Sequence, residues 1–280
     1  MNRNVPTVRR PRATLTALLA VLATLAALAL LVPGSAQANH GRGGRAVPPP
    51  PANPTRADQI QNIDQVKTAI KAYYGDTVSG TNPDGTPQHL PSPTSAYAAE
   101  MHGIEANAQH YLAQRARHQH AKGTKAILLD VDDTSLNTYN YEIFSNFVYN
   151  PASNATFVNG EAFPAVFGMP DLVAKAQAKG YKIFFLTGRP ETQRAATDGN
   201  LTKVGYPVVD SQVYLKDQTK PWLASCAPSC TTIQYKSLTR RYIESQGYDI
   251  VANFGDQYSD LSGGYADKDY KLPNPMYYLP

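Results

Sequence analysis

Ala126-Ile127-Leu128-Leu129-Asp130-Val131-Asp132-Asp133-Thr134 is the stretch that decides how this chain folds. An apolar run of this length that stops at carboxylates reads as a strand of a parallel sheet, buried on both faces. Side chains alternate along a strand, so Asp130 and Asp132 start on one side of its C-terminal end. Open α/β sheets keep their sites at that end. Carboxylates at the tip of a buried strand call for a cation or a proton-transfer task. The bland alternative is a loop whose Asp and Thr make only turn and cap bonds. Further motifs downstream weigh against it.

From Thr124 onward, strand and helix patterns alternate. Strand-like runs are Ala126–Asp130, Lys182–Leu186, Gln212–Leu215, Asp249–Phe254 and Met276–Leu279. Helical stretches fall at Pro170–Ala178, Glu191–Lys203 and Ser237–Gln246. This order predicts an α/β fold: a Rossmann-like parallel sheet with helices on both faces. Ahead of it, residues 55–123 read as a small helical addition to the core at 124–280. One helix is expected from Thr55, with Asp58 completing a capping box. Its inward face is Ile60, Ile63, Val66, Ile70 and Tyr73, and Gly75 stops it. Val78 to Pro93 reads as loop, and a second helix is expected from about Ser95 to His118, with Ile104, Tyr111 and Leu112 inward.

The N-terminus has a different character. Arg3, Arg9, Arg10 and Arg12 precede an apolar stretch from Leu15 to Val32, and Ala36-Gln37-Ala38 offers a small-x-small cleavage site. Residues 1–38 are therefore expected to be a signal peptide, with an uncleaved anchor as the rival reading. Residues 39–54, Gly/Arg-rich and then Pro-rich, are expected to be a disordered tether. The leader also explains the charge. The chain has 26 basic and 22 acidic residues, and removing the leader's four Arg leaves 22 of each. A formally neutral mature protein has no electrostatic case for nucleic-acid or anionic-membrane binding. Cys226 and Cys230 are the only cysteines. Export favours a small disulfide loop over free thiols, and two cysteines without a nearby His make a poor zinc site.

Three more motifs follow the first. Lys182–Leu186 leads into Thr187-Gly188-Arg189-Pro190-Glu191, where a hydroxyl, a glycine and a following helix N-terminus suit an anion such as phosphate. Tyr235-Lys236-Ser237 places a lysine ahead of a helix, where its fixed charge can meet a phosphoryl group. Lys216, which also follows a strand, competes for that role, and the spacing to Asp256 favours Lys236. Asp249–Phe254 leads into Gly255-Asp256-Gln257-Tyr258-Ser259-Asp260, whose two carboxylates at a strand end can complete a hard-cation site.

In this order the motifs resemble those of haloacid-dehalogenase-like phosphatases. The wording of Phe184–Arg189, Tyr235–Ser237, Gly255–Leu261 and Lys271–Tyr278 is similar to that of the secreted acid phosphatases whose subclass includes the plant vegetative storage proteins. The resemblance covers Ala126 to Pro280 well, within an expected phosphatase domain at 55–280. It implies a small lid and a Mg²⁺-dependent acid phosphatase acting on phosphate monoesters. Asp130 would be the nucleophile that forms an aspartyl-phosphate, and Asp132 the general acid and base. Thr187, Gly188 and Lys236 would hold the phosphoryl oxygens. Mg²⁺ would lie between Asp130, the carbonyl of Asp132 and Asp256, with Asp260 supporting. The second carboxylate of the DxD favours phosphatase over dehalogenase, since expelling halide needs no acid.

The lid falls in Ser135–Gly168, where Tyr139, Tyr141, Phe144, Phe147 and Tyr149 can either form core or stack on an aromatic leaving group. His118-Gln119-His120 reads as a solvated helix end. The absence of any Arg-His-Gly excludes the histidine-type acid phosphatases. Asn154 and Asn200 match glycosylation sequons. A phosphotransferase on the same site, or a non-catalytic storage protein on the same fold, are the competing functions.

Overall fold

Residues Ala126 to Leu129 are buried because their strand is the middle of the sheet. The structure, a computed structural model, describes residues 53–117 and 122–279. The leader, nearly all of the tether and His118-Gln119-His120 lie outside the described residues. A helix α1 (Ile63–Tyr74) leads to a hairpin, β1 (Thr77–Thr81) and β2 (Pro87–Leu90), and to a long helix α2 (Ala96–Arg117). Then come β3 (Thr124–Leu129), α3 (Tyr139–Phe144), α4 (Pro151–Asn159), α5 (Met169–Ala178), β4 (Lys182–Pro190) and α6 (Arg194–Lys203). The chain continues with β5 (Val213–Lys216), α7 (Thr232–Ser245), β6 (Tyr248–Gly255), α8 (Tyr258–Leu261) and β7 (Asp269–Lys271).

The main sheet has the order β5-β4-β3-β6-β7, and every adjacent pair is parallel. Alternation along the strands splits the core in two. Ile127, Leu129, Ile183, Phe185 and Phe254 join residues of α1, α2 and α5 on one face. Ala126, Leu128, Phe184, Leu186 and Ile250 meet Tyr235 and Ile243 of α7 on the other. Helices thus cover both faces of a parallel sheet, as the sequence pattern required. Cys226 and Cys230 form a disulfide next to this second face. No helix among the described residues is long and apolar enough to cross a membrane.

Several expectations need correction. The loop expected at Val78–Pro93 contains the antiparallel hairpin β1–β2; β1 is Thr-rich and exposed throughout and β2, Pro-Gln-His-Leu, has no buried residue, so no apolar alternation announced them. Its turn, Asn82 to Gly85, is closed by a bond from Gly85 N to Asn82 O at 2.9 Å, with Gly85 at φ +88°. The first long helix starts at Ile63, not Thr55, because Asn62 accepts from Asp64 N and Gln65 N. Ahead of it is only a 3-10 turn, Ala57–Gln59, and Ile60 and Ile63 are exposed. Met276–Leu279 is no strand. The last strand is Asp269–Lys271, and the backbone of the tail bonds to the side chains of Gln257 and Ser259 instead. Asn200, one of the two sequons, is buried with its amide bonded to Phe163 N and O, which leaves it no room for a sugar.

Candidate active site

Asp130 is fixed by the sheet itself. Its N–H donates to Phe254 O at 3.0 Å, extending the β3–β6 ladder, and its carbonyl accepts from Ser135 Oγ at 2.6 Å. α7 begins at Thr232, capped by Thr231 and Gln234, so Lys236 lies within the helix rather than ahead of it. From there its ammonium donates to Asp130 Oδ1 and to Leu186 O, and stands 3.1 Å from Asp260 Oδ1. The end of β3 and the middle of β4 are thereby tied to α7 at one point. Lys216 is on the edge strand, paired with Pro190, and is not the lysine at Asp130.

Asp256 follows β6 directly. Its Oδ2 accepts from Gln257 Nε2 at 2.6 Å and Asn274 Nδ2 at 2.7 Å, and its Oδ1 from Thr134 Oγ1 at 3.3 Å. Asp260 approaches because residue 255 is glycine: a Cβ there would stand 2.4 Å from the Asp260 Cβ. Asp133, at φ +52°, occupies the left-handed region that few non-glycine residues adopt. Its carboxylate accepts from Thr138 N at 3.0 Å and Tyr277 Oη at 2.8 Å, bonds that hold the turn.

The electrostatics follow from burial. Burial pushes the Asp130 carboxyl well above the carboxylate range; Lys236 opposes this, and Asp260, Asp256 and Asp132 add to the rise. Asp256 is raised to about 8, first by burial and then by Asp260 and Asp133. Burial alone pulls Lys236 down, but the charges of Asp130 and Asp260 outweigh it and the net shift is upward.

Carboxylate oxygens of Asp130, Asp256 and Asp260 lie within 4.8 Å of one another. Three buried carboxylates against one ammonium leave surplus negative charge, and an all-oxygen donor set suits a hard divalent cation such as Mg²⁺. Asp260 spends both oxygens, on Lys236 and on Gln257 N at 2.9 Å. Asp130 Oδ2 has no hydrogen bond among the described residues, and Asp256 Oδ1 has only the long one from Thr134. Asp130 and Asp256 therefore have oxygens to spare for a metal, and Asp260 braces them.

Asp132 has a different cation. Arg189 Nε lies 3.2 and 3.0 Å from its two oxygens, and Nη2 donates to Oδ1 at 2.6 Å. Nη1 of the same guanidinium goes to Thr197 Oγ1 at 3.1 Å. Lys236, expected to hold phosphoryl oxygens, bonds Asp130 and Asp260. Thr187 is buried and its Oγ1 accepts from Arg189 N at 3.1 Å. Gly188 is exposed, with open space where a Cβ would stand. No α-helix begins there, only a 3-10 turn at Glu191–Gln193. β4 runs on to Pro190 and α6 starts at Arg194, so an anion seat at this strand end relies on backbone and hydroxyl, not on a helix N-terminus.

Sequence reasoning had no role for Arg189, Thr134, Gln257, Asn274 or Tyr277. Arg189 had a signal: it is two residues past Thr187 on a strand, hence on the same side. Asn274 and Tyr277 had none, since their reach to Asp256 and Asp133 depends on how the tail returns.

The family model described as HAD superfamily, subfamily IIIB (acid phosphatase) matches residues 77–280. Among curated relatives, the stem 28 kDa glycoprotein of Glycine max is 33% identical over 183 residues, covering 62% of this chain and 66% of that protein. Acid phosphatase 1 of Solanum lycopersicum is 32% identical over 167 residues, covering 56% and 60%. Vegetative storage protein 1 of Arabidopsis thaliana is 27% identical over 159 residues, covering 55% of each. The chain thus spans about two thirds or less of the length of these three relatives. A class C acid phosphatase structure from Bacillus anthracis with tungstate bound superposes with a TM-score of 0.57 at 23% identity, over 77% of this chain and 86% of that one. Another of the same class from that organism gives 0.52 at 25%, over 65% and 80%.

Proposed function

The chain belongs to the HAD superfamily, subfamily IIIB of acid phosphatases, and from that premise we propose that it is an exported, Mg²⁺-dependent phosphomonoesterase working through an aspartyl-phosphate. The observation that carries the reading is the buried set of Asp130, Lys236, Asp256 and Asp260 at the carboxyl end of the sheet, with Asp132 held beside it by Arg189. Asp130 attacks phosphorus through one carboxylate oxygen while Lys236, Thr187 and the backbone at Gly188 hold the non-bridging oxygens. Asp132 gives its proton to the leaving alkoxide and takes one back from the water that cleaves the acyl phosphate. Arg189 keeps Asp132 in position across both steps. Asp130, the carbonyl of Asp132 and Asp256 would hold Mg²⁺, with Asp260 bracing the set. Bound there, the ion would neutralise charge on the phosphoryl group, which in phosphoryl transfer is where most of the catalysis lies.

Because Asp132 must begin protonated, the rate should fall on the alkaline side, and less steeply for aryl phosphates, whose leaving groups need less protonation. The Cys226–Cys230 disulfide favours an oxidising compartment, in line with the leader. A storage role is the second reading, prompted by the storage-protein names among the relatives. Asp130, the group such a protein has no use for, argues against it. An aryl phosphate assay decides: turnover that stops with chelator and returns with Mg²⁺ supports the enzyme. Inertness at every pH and metal concentration would leave the storage reading.

A further inference from the structure

Tyr277, in the tail beyond β7, meets both carboxylate-bearing loops of the site. Its phenol donates to Asp133 Oδ2 at 2.8 Å. Its carbonyl accepts from Gln257 Nε2 at 3.4 Å, and the same nitrogen donates to Asp256 Oδ2 at 2.6 Å. Leu279 N donates to Gln257 Oε1 at 3.0 Å and fixes that amide from its other end.

Asp133 needs such support. At φ +52° it occupies a region that persists in a non-glycine residue only where its surroundings impose it. Three bonds to its carboxylate do so: from Thr138 N at 3.0 Å, Thr138 Oγ1 at 2.5 Å and Tyr277 Oη. The angle turns the chain beside the Asp132–Asp133 peptide. That peptide is planar, so its N–H and the carbonyl of Asp132 point in opposite directions. Asp133 N donates to Leu136 O at 2.7 Å, so the carbonyl of Asp132 faces away from Leu136 O. On the phosphatase reading above, on which the assignment rests, this carbonyl is a ligand of Mg²⁺. We propose that Tyr277 is a positioning residue for that metal: its phenol holds Asp133 in the turn that orients the Asp132 carbonyl, while its own carbonyl keeps the Gln257 amide against Asp256. The other two donors to Asp133 both come from Thr138, ahead of α3, so Tyr277 is the donor that ties this turn to the Asp256 loop.

The test is the Mg²⁺ dissociation constant of the full chain, read by calorimetry without substrate. Tyr277→Phe keeps the ring and the backbone and removes only the donor to Asp133. Mg²⁺ should then bind about tenfold more weakly, the scale for losing a group that orients a metal ligand. Asp133→Gly removes the carboxylate and adopts positive φ freely. Adding Tyr277→Phe to Asp133→Gly should change the constant by less than about twofold. Should Asp133→Gly not fold, Thr138→Val serves in its place: it removes a second donor to the same carboxylate and should weaken Mg²⁺ binding in the same direction. A merely structural tyrosine would lower the melting temperature and leave the Mg²⁺ constant alone. An unchanged constant in Tyr277→Phe or in Thr138→Val, or an equal loss with and without the Asp133 carboxylate, overturns the assignment of Tyr277 alone. A native protein that binds no Mg²⁺ and is inert on aryl phosphate overturns the phosphatase reading together with it.

Discussion

The floor of the site and its lid are built to opposite standards. On the floor, Asp130, Lys236, Asp256 and Asp260 stand at or beside strand ends, and all but one of the carboxylate oxygens are bonded. On the lid, Phe144 at 38% and Tyr149 at 68% are open to solvent. The lid is still anchored. Asn140 Nδ2 donates to Asn82 Oδ1 at 2.7 Å and its Oδ1 accepts from His89 N at 2.9 Å, tying α3 to the β1–β2 hairpin. The difference separates two tasks. Phosphoryl transfer needs charges fixed before the substrate arrives, which strands and a buried helix supply. Choosing among leaving groups needs a surface whose bonds are completed by the ligand.

Breaking the floor should cost most. Asp132→Asn removes the proton donor while keeping its shape, and kcat should fall about 10²–10⁴-fold, more for alkyl than for aryl phosphates. A near-native rate for alkyl phosphates would show that the floor does not do the acid chemistry. Next comes the tail that braces Asp256, a proposed metal ligand. Asn274→Ala removes a donor to Asp256 Oδ2. The Mg²⁺ concentration for half activity should rise about 10–100-fold, measurable by titration after chelation. An unchanged requirement would detach the tail from the metal site.

Stability against pH sharpens the comparison from another side. Burial raises Asp256 to about 8, and Asp133 and Glu142 to about 7, from ordinary values near 4. Between those limits the folded protein holds protons that the unfolded chain has released. The stability these groups contribute is therefore present below about pH 4 and lost as pH rises to about 8. Chelated protein should melt at lower temperature at pH 8 than at pH 5, and Mg²⁺ should narrow the gap because it replaces the protons on the floor. A chelated melting point that climbs steadily over this range would contradict the shifts. The smallest effect belongs to the lid surface. Tyr149→Ser should change stability by no more than about 0.5 kcal/mol, as judged by denaturant unfolding.

What was legible in the sequence follows the same division. Strands buried on both faces read as apolar runs, so β3, β4 and β6 and the carboxylates at their ends could be placed from Ala126–Leu129 and its counterparts. Lys236 was legible as a residue but not as a helical one, because the Thr231 and Gln234 cap lies five residues upstream, behind a loop without motif. The hairpin was missed because its pairing is carried by backbone, in a ribbon with no buried side. The expected strand at Met276–Leu279 failed for a related reason: tyrosine-rich apolar sequence has strand propensity, but Gln257 and Ser259 claimed its backbone groups. Arg189 was within reach of period-two reasoning.

The central claim is that Asp130 carries the phosphoryl group. Acid-quenching the protein during turnover of an aryl phosphate, reducing with borohydride and mapping peptides by mass would convert an aspartyl-phosphate to homoserine at its position. The account predicts homoserine at residue 130, absent when substrate is omitted. Modification at another carboxylate, or none at residue 130 under conditions where dephosphorylation is shown to limit turnover, would contradict it.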